Sequence, residues 1–244
     1  MTNPFVANLE ILADADTLAV RVANWLLELA TAKQGDFAVN LSGGSTPRRL
    51  YQCLAGQPYH DAFPWSRTHW FWGDERFVPP DHALSNYRMV REALLSRVPI
   101  PDANIHPIPT GSTSPEAAAS AYESQLKAFY GAERLDPARP LFDVTFLGLG
   151  ADGHLASLFH GTTALIERDH WVAAVVRAKS EARITLTYPA LESSRNVAFL
   201  VEGKGKRAIL NRLCGGDGTL PAAHLKPVGA LRIFADEAAI QPVA

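Results

Sequence analysis

Residues 142–161 read FDVTFLGLGADGHLASLFHG, a continuous apolar run that gives way to a glycine-rich polar tip. Phe142, Val144, Phe146 and Leu147 predict a short strand covered on both faces. Gly148, Gly150 and Gly153 let the chain turn sharply and let a ligand approach the backbone. The pattern predicts a helix over Leu155 to Phe159, with His154 at or near its first turn. A strand-to-helix turn of this kind opens at the carboxyl edge of a parallel sheet, where α/β proteins bind ligands. Gly148-x-Gly150-x-x-Gly153 also matches a dinucleotide fingerprint, but weakly. Glu167 and Asp169, at about the distance of the required acid, precede the apolar run 171–176 instead of ending it. The tip Asp152-Gly153-His154 reads as a turn built to present an imidazole.

Upstream, Leu18, Val22, Trp25, Leu26 and Leu29 predict a helix capped at Asp16 and stopped near Gly35. A strand over 37–41 runs into Ser42-Gly43-Gly44-Ser45-Thr46-Pro47. Two glycines free the backbone to wrap an anion, the hydroxyls add donors, and Pro47 suits the first turn of a following helix. The Gly-Lys-Ser/Thr ending of a P-loop is missing, and taken alone this loop reads slightly better as a plain turn with a helix cap. A strand over 68–72 ends in Gly73-Asp74-Glu75-Arg76. Ser85 predicts a cap for a helix to about Arg97, and Ser114-Pro115-Glu116 one for a helix to about Tyr130, across a surface connection over 99–115.

Downstream come strands over 171–176, 183–187 and 197–201, the last leading into Gly203-Lys204-Gly205-Lys206 and a helix over 207–213, then a final strand over 230–235. Strands alternating with helices predict a single α/β domain over residues 1–244: a mostly parallel, doubly wound, Rossmann-like sheet with helices on both faces.

The 244 residues suffice for a real core, with 47% hydrophobic and 20% charged residues. Net charge is -2 and the pI near 6.4, without the basic stripe expected of a nucleic-acid or membrane-surface protein. No apolar run approaches a membrane span, and the first residues lack a basic segment followed by an apolar block. Cys53 and Cys214 lie far apart, without metal-ligand spacing, and read as free thiols in a reducing cytoplasm.

Four polar tips therefore follow strands: Gly-Ser at 42–45, Asp-Glu-Arg at 74–76, Gly-Asp-Gly-His at 150–154 and Gly-Lys at 203–206. If all are carboxyl ends of parallel strands, they face one crevice. Arginine, lysine and backbone N–H groups suit a phosphate. An imidazole among carboxylates suits proton transfer near neutral pH. Neither a Gly-x-Ser-x-Gly elbow nor a paired-histidine metal motif is present. The residues alone point to acid–base chemistry on a small phosphorylated metabolite, with no cofactor and no metal. A non-catalytic sensor of such a metabolite and a nucleotide-binding oxidoreductase are the rivals. The sensor gives no reason for the imidazole, and the oxidoreductase rests on the glycine spacing alone.

LSGGSTPRRLY at 41–51, WGDERFVPPDHALSNYRM at 72–89, FLGLGADGHLASLFHG at 146–161, RITLTYPAL at 183–191 and GKGKRAIL at 203–210 closely resemble the 6-phosphogluconolactonase family, in order and over about the whole chain. The resemblance implies hydrolysis of 6-phospho-D-glucono-1,5-lactone in the oxidative pentose phosphate pathway. It implies His154 as the base activating water, with Asp152 orienting it. It implies Arg76 and Lys206 on the phosphate, loop donors from Gly43, Gly44 and Ser45, Asp74 on sugar hydroxyls or Arg76, and Arg183 as a further binding candidate. The partner implied is a small phosphorylated sugar lactone. Glucosamine-6-phosphate deaminases share this layout but carry an acidic residue after the histidine, where this chain has Leu158-Phe159-His160-Gly161. His160 stands where lactonases commonly have proline and reads as a loop residue.

Overall fold

Residues 3–240 are described in the computed structural model. Among these described residues ten strands form: β1 Leu9–Leu12, β2 Phe37–Leu41, β3 Thr68–Trp72, β4 Asp74–Arg76, β5 Ile105–His106, β6 Val144–Gly148, β7 Val172–Val175, β8 Arg183–Leu186, β9 Asn196–Val201 and β10 Ala230–Asp236. Eight α-helices accompany them: α1 Pro4–Ala7, α2 Ala15–Ala32, α3 Ser45–Leu54, α4 Tyr59–Ala62, α5 Asn86–Ala93, α6 Pro115–Tyr130, α7 Tyr188–Glu192 and α8 Arg207–Cys214.

Seven strands make one sheet in the order β1-β10-β9-β6-β2-β3-β5, parallel at every pairing. β2 is buried along its whole length, as expected for a strand with helices over both faces. From β2 the chain proceeds to β3 and β5 on one side, and from β6 to β9 and β10 on the other. The strand order therefore reverses between β2 and β6, and a crevice opens above their carboxyl ends.

The remaining strands form a separate antiparallel sheet, β4-β8-β7. Expected strands over 171–176 and 183–187 thus exist, but outside the parallel sheet, and the expected Asp-Glu-Arg turn is itself a strand. Gly73 is the point of exit: its N–H donates to Leu41 O across the large sheet (2.9 Å), and its carbonyl accepts from Leu186 N of the small one (2.8 Å).

The helix expected over Leu155 to Phe159 does not form. Ala156 adopts a positive φ of 46°, and the Ser157 N–H, which a helix would need, donates to Thr185 Oγ1 of β8 (3.1 Å). The segment is pinned as turns against the small sheet. Smaller corrections have local causes. Asp14, not Asp16, caps α2, accepting from Thr17 N (2.7 Å), and the helix ends at Ala32, before Gly35. The helix begun at Ser85 breaks after Ala93, with a 3-10 turn over Leu95–Arg97. Ser114 caps α6 as expected, and Gly131 closes it in the left-handed region. β1 and β5 were not foreseen; both are short edge strands.

Candidate active site

The loop after β2 starts where it does because Tyr51 of α3 reaches back to Ser42. Its hydroxyl accepts from Ser42 N (3.0 Å) and donates to Ser42 O (2.8 Å). The backbone then swings through Gly44, at φ 109°, into α3. A Cβ on Gly43 would meet Asn86 Oδ1 at 2.1 Å, so only glycine lets the amide of Asn86 lie on this loop. Asn86 Nδ2 donates to Asp74 O (2.9 Å), joining the loop after β2 to β4.

On the other side, the tip after β6 closes on itself. Gly150 N donates to His154 O (2.8 Å) and Gly153 N to Gly150 O (2.9 Å). Gly153 sits at φ 85°, and its carbonyl accepts from Ala222 N (2.9 Å). The imidazole of His154 folds over Gly150: a Cβ there would lie 2.1 Å from its Nδ1. That nitrogen is 2.5 Å from Asp152 Oδ1, which also accepts from His154 N (3.2 Å). An ionised carboxylate only accepts, so the ring proton resides on Nδ1 and Nε2 is the free base. Burial pushes the Asp152 carboxyl up, but its hydrogen bond to His154 and the attraction of that ring outweigh it, and the net shift is downward.

Gly43, Gly44, Ser45, Asp74, Arg76, His154 and Lys206 converge on one cavity of about 300 Å³, with Thr46 and Asn86 also in its wall. Lys206 Nζ donates to Leu149 O (2.6 Å) and Arg76 Nη1 to Leu84 O (2.5 Å). Neither cation has a carboxylate within salt-bridge distance among the described residues. Asp74 Oδ2 accepts from Ser157 Oγ (2.6 Å), which fixes that carboxylate from the pinned segment.

Two expected site residues lie outside the cavity wall. Asp152 stands behind His154 and lines a neighbouring cavity. Arg183 faces Arg76 across the β4–β8 register, and its side chain is 11% exposed. Burial and the charge of Arg76 hold its guanidinium below the ordinary arginine range, despite Asp74 and Glu181. Its nearest carboxylate is Glu181, at 3.7 Å.

Asn86 and Ser157 are the residues that the sequence reading passed over. Asn86 is visible there only as a helix-start residue, and Ser157 only as one position of an expected helix. Glu75 reads from sequence only as one charge of the Asp-Glu-Arg tip. Its buried carboxylate accepts from Arg76 N (2.7 Å), Asn86 N (2.8 Å), Tyr87 N (2.7 Å) and Ser85 Oγ (3.1 Å), binding β4 to the start of α5. Burial nonetheless pushes its carboxyl up, more than those backbone donors pull it down.

Comparison with known proteins agrees with this geometry. The family model described as glucosamine-6-phosphate isomerases/6-phosphogluconolactonase matches residues 13–233. A 6-phosphogluconolactonase of Synechocystis sp. is 42% identical over 213 residues, covering 86% of each chain. One of Nostoc sp. is 40% identical over 237 residues, covering 94% of this chain and 95% of its own. Among solved structures, 6-phosphogluconolactonase from Thermotoga maritima superposes with a TM-score of 0.80 at 32% identity, over 94% of this chain and 99% of that one. The enzyme from Trypanosoma cruzi does so with 0.85 at 28% identity, over 100% and 98%. With the family model covering most of its length and its strand-end crevice built from the matching motifs, the chain belongs to the glucosamine-6-phosphate isomerase/6-phosphogluconolactonase family.

Proposed function

We propose that the chain hydrolyses 6-phospho-D-glucono-1,5-lactone to 6-phospho-D-gluconate, a step of the oxidative pentose phosphate pathway, acting as one domain over residues 1–244. The observation that carries this reading is the imidazole of His154, held from behind by Asp152, lining the same crevice as Arg76 and Lys206, two cations without carboxylate partners among the described residues. The names of the relatives, aligned over most of their length, support it. Its half-buried free thiols, Cys53 and Cys214, fit action in the cytoplasm.

A δ-lactone is an activated ester, so water can attack it without a covalent enzyme intermediate. His154 Nε2 takes a proton from water as the oxygen bonds to the lactone carbonyl carbon. Asp152 stabilises the imidazolium that results. The tetrahedral intermediate then expels the ring oxygen, which receives the proton from His154, and the ring opens to the hydroxy acid. Every proton transfer in this scheme is carried by side chains of the chain itself. Arg76, Lys206, and the Gly43-Gly44-Ser45 loop at the start of α3 bind the phosphate. Asp74, held by Ser157, accepts from sugar hydroxyls. Arg183 acts from behind Arg76, adding positive charge to the phosphate side without lining the crevice.

The test is acid release from freshly generated lactone, compared among wild type, His154→Ala and an enzyme-free blank. Wild type accelerates the reaction, and His154→Ala loses about 10²- to 10⁴-fold in kcat, the usual share of a general base. Equal rates in wild type and blank would remove the lactonase reading. Full activity in His154→Ala would move the base elsewhere.

A further inference from the structure

We propose that His160 is a positioning residue for the Asp152–His154 pair. It lies six residues past His154, on the segment that forms turns in place of a helix, and that path returns it to the tip. His160 Nε2 is 3.1 Å from the backbone carbonyl of Asp152. A carbonyl only accepts, so Nε2 carries the proton and donates it. The adjacent residue, Phe159, packs its ring on the imidazole of His154, with centroids 4.6 Å apart. Lys179 Nζ lies 4.8 Å from the centre of the Phe159 ring. Residues 159 and 160 thus bracket the pair: one rests on the base, and the other holds the main chain of its carboxylate partner. The bonds that close the tip engage Gly150, Gly153 and His154, whereas Asp152 itself is otherwise held by its two contacts to His154, within an exposed turn. A small rotation of that turn would lengthen the Asp152–Nδ1 bond and release the ring from the tautomer that leaves Nε2 free.

Two substitutions separate this role from simple space filling. His160→Phe keeps a ring but removes the donor, whereas His160→Gln keeps an N–H donor of similar reach. The tautomer of His154 is read from the nitrogen-15 shifts of its ring, and kcat and KM come from hydrolysis of the phosphorylated lactone. In wild type the Nδ1–H tautomer dominates. In His160→Phe it gives way to a mixture, and kcat falls roughly tenfold, the scale of a misplaced catalytic group, while KM stays within about twofold. His160→Gln restores both readings most of the way. A His154 tautomer unchanged in His160→Phe would overturn the proposal, as would equal impairment in the two variants. The kinetic arm rests on the lactonase reading. If wild type does not hydrolyse the lactone, that reading fails and the tautomer alone decides the role of His160.

Discussion

At the scale of single residues, the shape of the crevice depends on two glycines as much as on the charged groups. Gly150 and Gly43 are each covered by a polar side chain, His154 and Asn86, at distances that exclude a Cβ. Gly150→Ala is therefore expected to keep the fold and displace the imidazole. Its kcat should fall about a hundredfold while melting temperature changes little, because the obstructing ring sits at a partly exposed edge that can swing outward. Kinetics on the lactone beside a thermal melt check this; unchanged kcat would show that the ring need not lie over Gly150. The proposed base, His154, and its aspartate were legible as residues, since a polar Asp-Gly-His tip after an apolar strand has few other uses. Their hydrogen bond was not, because two residues so close in sequence meet only if the turn curls back, as Gly153 at φ 85° makes it do. Arg183 was legible as a charge near a motif, but the register that sets it behind Arg76 belongs to a pairing between distant segments.

Among the elements, the strong periodic ones matched their expected extents closely: β2, β3, α6 and β10 each carry a continuous or periodic apolar pattern of ordinary length. The edge strands were hidden because two to four residues carry no period. β5 is the shortest, and it is held by side chains as well as by pairing with β3. His69 Nδ1 lies 3.0 Å from His106 Nε2, and His106 stacks on Phe71 at 4.3 Å. Burial, reinforced by the charge of His69, pushes the His106 imidazole down to about 4. The same group in an unfolded chain titrates near 6.5. Between these values the unfolded chain binds more protons, so stability present above about pH 6.5 is lost as pH falls toward 4. Melting temperatures from pH 7.5 to 4.5 should fall less steeply for His106→Gln than for wild type, and parallel slopes would remove His106 from the acid response.

Across the whole molecule, the crevice is assembled from two sheets that share no strand, and buried polar groups hold the halves in register. Glu75 is the main tie between the small sheet and α5, receiving four hydrogen bonds while 2% exposed. Glu75→Ala strands several buried donors and removes the tie. It should cost about 2–3 kcal/mol of stability and raise KM more than it lowers kcat, because Arg76 and Asn86 lose their setting while His154 keeps its own. Denaturant unfolding together with steady-state kinetics checks both parts. By itself the sequence determined the α/β class, the longer strands and most of their polar tips, and the residue types that point to acid–base chemistry on a phosphorylated ligand. Hydrophobic period, glycine placement and capping residues act over a few neighbours, so they can be read along one chain. Only the tertiary structure decided that β4, β7 and β8 form a sheet of their own, that residues 155–159 forgo a helix, and that Asn86, Ser157 and Glu75 brace the crevice. Those outcomes depend on contacts between separate segments, such as Asp74 with Thr185, Ser157 with Thr185 and Ser157 with Asp74, where the competing hydrogen-bond partners are fixed by packing and not by local pattern.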